Sequence, residues 1–475
     1  MKKKFLYILA IALLGSYSCQ KSQLNQISPT SFNADGSAFA NQARINSQVL
    51  GLYSNLRSGQ LYGGRFEIYN DVKADNWLNS TANSITAYQT WTETPTSVSS
   101  EVLNLWAQCY TTINNANLFI DGMASVPTSV VSSTLNAQYV AEAKFVRALA
   151  YFALVDMYCV PYSSGSSPGV PLRLTGLSTF GNYALAPSSV TACYAQIISD
   201  LNAAESGLPL TQADAASNVD RATKNAAIAF KTRIYLAEGA YASVITEANK
   251  IVSATAPFNA AASGGVNYAL QANIANVFKS PYTTTESIFS VPFNTQETPG
   301  TQNQIATYFN NIGATEYYLN QSSQLFTDPL WGATDARRGF ITSNSKGKSL
   351  TKWSAPSPYT DWVCTMRYSE VLLNLAEARS QVNGPTDLQA IALLNAVRQR
   401  SDPAFVYVTA TQAQILEERN IEFLGEGLRW FDLMRTSSTI PAKSTVPAIP
   451  AGGYGTAYIW PMSGNEQQYN TLIGR

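Results

Sequence analysis

The stretch Leu416-Glu417-Glu418-Arg419-Asn420-Ile421-Glu422-Phe423-Leu424-Gly425-Glu426-Gly427-Leu428-Arg429-Trp430-Phe431-Asp432-Leu433-Met434-Arg435 decides how the rest of the chain is read. Taken as one helix over Glu417–Arg435, it places Glu418, Glu422 and Glu426 at steps of four, on a single face. Like charges at that spacing repel. The row therefore needs cations against it, and Arg367 or Arg398 on neighbouring helices can supply them. So read, the stretch is a partly buried ion network that locks helices together. The competing reading is a glycosidase pair, since retaining enzymes hold two carboxyls roughly 5–5.5 Å apart. Adjacent helical turns meet that distance, but both groups would then approach from one side instead of flanking a sugar. The structural reading is preferred.

Outward from this stretch the pattern is mostly helical. Tyr368, Leu372, Leu375 and Ala376, then Gly384-Pro385, then Ile391, Leu394 and Val397 spell a helical hairpin. In Ala137–Tyr158, Ala141, Phe145, Ala148, Phe152, Val155 and Cys159 alternate steps of four and three, which predicts one apolar face. The run Tyr235-Leu236-Ala237-Glu238-Gly239-Ala240-Tyr241-Ala242 resembles the turn and second helix of a tetratricopeptide (TPR) repeat. Helical patterning also covers Ala38–Leu56 and dominates from Glu101 to about Ser253. Gln60–Ser100 shows no period and reads as loop with a short strand. From about Ala256 to Asp361 the chain is broken by Gly, Pro, Ser, Thr and Asn, with a strand at Ser287–Phe293, and after Arg435 it is irregular again. The fold class expected is mainly α, a TPR-like helical-repeat scaffold with long irregular loops and a few short strands.

Composition narrows the function. Lys+Arg and Asp+Glu are 31 each, so no net field favours nucleic acid. The chain has no histidine, which removes Ser-His-Asp and Cys-His nucleophile systems and every His-containing zinc site. Cys109, Cys159, Cys193 and Cys364 lack C-x-x-C spacing and read as free buried thiols. No acidic loop signature asks for calcium, and no metal or cofactor is expected. A surface of Asn, Gln, Ser and Thr with 26 Tyr and 8 Trp suits a neutral polar ligand.

The first residues read as an export signal: Lys2, Lys3 and Lys4, an apolar run from Phe5 to Leu14, then small residues. That run is far short of the ~20 residues that span a bilayer as a helix. Cys19 after Gly15-Ser16-Tyr17-Ser18 resembles a bacterial lipoprotein signal, in which Cys19 is acylated and heads the mature chain. The division expected is a signal peptide over 1–18, a lipid-anchored tether over 19–37, a helical region over 38–255, and a second region over 256–475 packed with it as one unit.

Motifs along nearly the whole mature chain are similar to those of the SusD/RagB family. In the family's order these are Trp106, Tyr110, Ile113, Asn114 and Asn117; Ala143, Arg147, Ala148, Tyr151 and Phe152; Asp335-Ala336-Arg337; Lys352-Trp353; Arg367–Leu373 with Ala376-Glu377-Ala378; Leu394–Arg400; and the opening stretch. The resemblance implies a non-catalytic, outer-membrane, lipid-anchored receptor. Its TPR helices would dock a SusC-like TonB-dependent transporter, and its loops would grip an oligosaccharide. A peptide-binding RagB-like receptor or a purely protein-binding helical-repeat adaptor is the alternative. Family members often carry acidic residues after the acylated Cys where this chain has Gln20-Lys21-Ser22-Gln23, so which side of the membrane it faces stays open, with the cell surface preferred.

If the helices are scaffold, ligand should meet the irregular segments. Two combine rings with amides or carboxylates: Asp75, Asn76, Trp77, Asn79, Asn83, Tyr88 and Trp91, and Tyr308, Asn310, Asn311, Tyr317 and Tyr318. From these, Asp75, Trp77, Asn79, Asn83, Tyr88, Trp91, Tyr308, Tyr317 and Tyr318 are the expected ligand contacts. The opposing reading of each ring is packing beneath a long loop. Trp106, Trp331 and Trp430 read as core, and Trp353 stays open.

Overall fold

The computed structural model describes residues 37–473 apart from 180, 182, 261–263, 311, 313, 314, 453, 454 and 456. The expectations for the signal peptide, the tether, Cys19 and Asn311 fall outside the described residues. Eleven helices carry the fold: α1 Gln42–Leu56, α2 Arg65–Lys73, α3 Ser100–Met123, α4 Ser133–Tyr158, α5 Val190–Gly207, α6 Lys224–Glu238, α7 Tyr241–Ala248, α8 Tyr368–Asn383, α9 Leu388–Ser401, α10 Gln412–Glu422 and α11 Arg429–Arg435, beside shorter helical turns. Three two-stranded antiparallel ribbons join them: β1 Trp77–Asn79 with β3 Tyr317–Leu319, β2 Ser287–Val291 with β6 Val363–Arg367, and β4 Ile341–Ser343 with β5 Lys348–Leu350. The class is mainly α with few short strands, as the sequence predicts.

Local chemistry sets the helix ends. Asn41, Ser132, Ser189, Thr223 and Asp387 each cap a helix by accepting a backbone N–H three residues on. Thr411 and Gln414 form a reciprocal capping box on α10. Gly239 closes α6 at φ +70°, so the chain turns straight into α7. Packing then runs neighbour to neighbour: α4 lies between α3 and α5, α5 meets α6, α6 meets α7, α7 meets α8, and α8 meets α9 and α10. One core joins residues from Ile45 to Trp460.

Three expectations are corrected. The Gln60–Ser100 stretch contains α2, whose nine residues are all buried. A helix covered on every side has no apolar stripe, so periodicity does not reveal it. For the same reason α4 buries far more than the predicted face, including Glu142, Arg147 and Asp156. The Glu417–Arg435 stretch is two helices, because Gly425 and Gly427 turn the backbone at φ +82° and +75°. A Cβ on Gly427 would sit 2.6 Å from Glu67 Cα, so the turn is pressed onto α2 with no room for a side chain.

Lys443 is one of the anchors of the segment after α11. Lys443 Nζ donates to the carbonyls of Val72, Lys73 and Ala74 at 2.7, 2.7 and 3.0 Å and meets Glu93 at 3.0 Å. It caps the C-terminal end of α2, where carbonyls otherwise lack partners. Glu93 also pairs with Lys73, and all three side chains are out of water.

Candidate functional site

The glutamate row is spent on structure. Glu418 pairs with Arg337 at 2.6 Å and Arg398 at 2.7 Å. Glu422 pairs with Arg337 at 2.9 Å and also with Arg367 and Arg400. Glu426, within the turn, pairs with Lys352 at 2.6 Å and Arg367 at 2.8 Å. Asp335 and Glu286 complete the set, giving five carboxylates (Glu286, Asp335, Glu418, Glu422, Glu426) against five cations (Arg337, Lys352, Arg367, Arg398, Arg400), all buried. The charges balance, which is how such a group survives away from water. Burial alone would raise the Glu422 carboxyl, but Arg400, Arg367 and Arg337 hold it well below the usual range. Carboxylates tied this way flank no open space, so the glycosidase reading of this row fails on geometry.

The two ring-bearing stretches come together. Trp77, Leu78 and Asn79 pair with Leu319, Tyr318 and Tyr317, so β1 and β3 form one ribbon. Most of the expected contacts nevertheless face inward. Trp77 is fully buried, stacked on Phe309 with ring centroids 4.0 Å apart. Trp91 is buried and donates from Nε1 to the Trp77 carbonyl at 2.8 Å. Tyr308 and Tyr317 are buried with parallel rings 6.0 Å apart, their hydroxyls donating to the carbonyls of Gln302 and Thr86. Tyr318 is buried under Gly347. Asp75 is buried and receives a bond from Arg429 Nε at 3.0 Å. The expectation that Asp75, Trp77, Trp91, Tyr308, Tyr317 and Tyr318 touch ligand is therefore corrected. Large rings gain more from burial than from a wet loop, and these form the floor of the ribbon. Asn79, Asn83 and Tyr88 stay partly exposed along its rim. Asn79 Oδ1 accepts from the Thr81 and Ala82 N–H groups, and Asn83 Oδ1 from the Ile85 N–H, so both amides also shape the turn.

The core assignments of Trp106, Trp331 and Trp430 hold, and Trp353 joins them. The four cysteines are buried free thiols.

A second pair of rings was not singled out by sequence. Tyr282 and Trp362 are partly exposed, with centroids 5.4 Å apart and planes 12° from parallel. Asp361, next to Trp362 in sequence, accepts from the Ser354 N–H at 3.1 Å and the Ala355 N–H at 3.0 Å. Burial pushes the Asp361 carboxyl up. Burial first, then the Asp361 charge, pushes the Tyr282 phenol up. Tyr282 sits at φ +63°, an uncommon backbone state for a non-glycine residue, so the fold holds the ring in place against local preference. The pair connects to the ribbon: Trp353, next to Ser354, touches Phe309, and Phe309 stacks on Trp77. Eighty residues separate the two rings in sequence (362 − 282 = 80), and only the β2–β6 pairing brings their loops together. Pro281 and Asp361 beside the rings mark turns, which is all the signal the sequence offers.

Among the described residues no group of three His, Cys, Asp or Glu could hold a metal ion. No described helix is long and apolar enough to cross a membrane.

Comparison with known proteins fits this architecture. A family profile described as "starch-binding associating with outer membrane" matches residues 24–236, and the SusD family profile matches residues 239–471. The chain belongs to the SusD/RagB family. SusD-like protein P38 of Formosa agariphila is 23% identical, over 96% of this chain and 95% of that one. A SusD superfamily protein from Bacteroides fragilis shares the fold at a TM-score of 0.82 and 29% identity, over 92% of this chain and all of the other. A laminarin-binding SusD-like protein shares it at 0.70 and 21% identity, over 91% of this chain and 98% of the other. The first of the two matched profiles is thus one of starch-binding proteins that associate with the outer membrane.

Proposed function

We propose that this protein captures an oligosaccharide at the cell surface without cleaving it, and passes it to a SusC-like TonB-dependent transporter in the same outer membrane. The observation that carries the reading is the Tyr282–Trp362 pair, two partly exposed parallel rings with a buried carboxylate beside them. A sugar ring presents C–H faces that stack on such rings and edge hydroxyls that donate to a carboxylate. Asn79, Asn83 and Tyr88 on the ribbon rim add amide and phenol groups of the kind that bind hydroxyls. The laminarin-binding neighbour supports the ligand class, although at 21% identity its likeness speaks to fold. Anchoring through acyl chains on Cys19 fits the family's outer-membrane association.

A glycan array probed with the mature protein names the ligand. Trp362→Ala and Tyr282→Ala are then expected to weaken that glycan at least about tenfold, equivalent to roughly 1.4 kcal/mol, with the unfolding midpoint unchanged. Wild-type affinity in both variants would remove the ring pair from the site. Co-purification with a large outer-membrane barrel tests the hand-over separately.

A further inference from the structure

A cavity lies where α10 and α11 meet the chain that follows them. It encloses about 260 Å³ and is lined by Leu416, Glu417, Arg429, Leu433, Thr436 and Ser438, among others. That is just under the range of drug-sized pockets and suits one small molecule. Its polar groups are not used up by the protein. Glu417 is only 4% exposed, yet its Oε1 has no hydrogen-bond partner among the described residues. Arg429 donates from Nε to Asp75, leaving its two terminal nitrogens without an acceptor among the described residues. Thr436 gives its hydroxyl proton to the Asp432 carbonyl at 2.7 Å and lies 2.7 Å from the Ser438 hydroxyl. Ser438 must then be the donor in that contact, which leaves its own lone pairs open.

A buried carboxyl with an unused oxygen is costly unless something donates to it. No described residue supplies that donor to Glu417 Oε1. Arg429 already has its charge met by Asp75, and Asp432 is held by Arg419 and Arg435. The remaining wall is therefore acidic in balance, which disfavours an anion. Acceptors at Glu417 and Ser438 facing donors at Arg429 call for groups that both give and accept hydrogen bonds, which is what neighbouring hydroxyls do. The apolar side chains of Leu416 and Leu433 suit the C–H face of a ring. With no aromatic ring in its lining, the cavity cannot stack an extended chain.

From this we infer that the Glu417–Arg429 cavity is a binding site for a small neutral polyol, a single sugar ring, separate from the Tyr282–Trp362 platform. Burial pushes the Glu417 carboxyl up to about 7, so near neutrality it stands between donor and acceptor, and either form matches a hydroxyl. The inference stands on this cavity's own groups and holds whatever ligand the ring platform takes.

The test uses the full mature chain and saturation-transfer NMR with D-glucose, D-galactose, D-mannose and D-xylose, and with glycine as a zwitterionic control. Saturable binding of at least one sugar is expected, with no signal from glycine. Ala413→Phe, at an exposed position on the cavity wall, is expected to abolish it by filling the space. Glu417→Ala is expected to weaken it at least tenfold. Thermal unfolding run on each variant shows that the fold persists. No saturable sugar binding to the wild type, or equal binding by a folded Ala413→Phe variant, overturns the site. Preference for glycine overturns the ligand class.

Discussion

Arg367 Nε lies 2.8 Å from Glu426 Oε2, with both side chains out of water. The strand end that carries Arg367 is thereby fastened to the turn between α10 and α11. Arg367 also reaches Glu286 and Glu422, so one guanidinium serves three carboxylates. Replacing Arg367 with Met leaves the buried set one cation short. The expected loss is about 3–5 kcal/mol of stability, the usual cost of stripping one partner from a buried ion group. Urea unfolding measures it. Adding Glu426→Gln to Arg367→Met restores the charge balance and should recover part of the loss, which a simple packing defect would not show.

Stability should fall as pH rises from acid to neutral because of two other carboxyls. Burial pushes Asp71 and Asp156 each up to about 7, and no Lys or Arg among the described residues pairs with either. Unfolded, both titrate near ~4. Between those values the folded chain holds protons that the unfolded chain has released, so the contribution is complete below pH ~4 and is lost as pH climbs through ~7. Asp335 and Asp432 run the other way. Burial opposes their ionisation but arginine contacts outweigh it, so their share is lost as pH drops through the depressed values. Asp156→Asn should flatten the neutral-side decline, stabilising at pH 8 by about 2–4 kcal/mol. Urea midpoints collected from pH 4 to 8 read the slope directly, and an unchanged slope would remove Asp156 from this account.

Two glycine substitutions separate backbone strain from crowding. Gly239→Ala places a side chain at φ +70° with open space around it and should cost about 1–2 kcal/mol. Gly427→Ala adds a collision with Glu67 and should cost about 2–4 kcal/mol. Thermal unfolding of the pair gives the difference.

Trp77→Ala is expected to act on folding, since the ring is stacked inside the ribbon floor. A loss of about 3–5 kcal/mol follows from emptying that volume. Asn83→Ala, on the rim, removes a turn hydrogen bond and should cost about 1 kcal/mol. A Trp77→Ala protein of native stability would show that the ring is not part of the floor.

The ion network was legible before any coordinates, because three glutamates on one helical face at steps of four repel unless arginines from other elements lie against them. Arg367 and Arg398, named on that ground, do lie against the row. The break at Gly425-Glu426-Gly427 was not legible as such, since two glycines weaken a helix without stopping it unless something presses on the turn, and here that is α2. The helix α2 itself was hidden because it is buried on all sides. The two ring-bearing segments singled out in the sequence do pair as β1 and β3. Composition alone does not say which face of a three-residue strand looks outward, so rings that form the floor were taken for the surface. Tyr282 and Trp362 were passed over because their partnership exists only once β2 and β6 have zipped.

The clamp made by Lys443 has a consequence for how the chain matures. The carbonyls of residues 72–74 stay open until a lysine some 370 positions later arrives to close them. Synthesis proceeds from the N-terminus, so the C-terminal end of α2 waits for nearly the whole chain before this cap can form, and a chain cut short ahead of Lys443 would leave those three carbonyls without it.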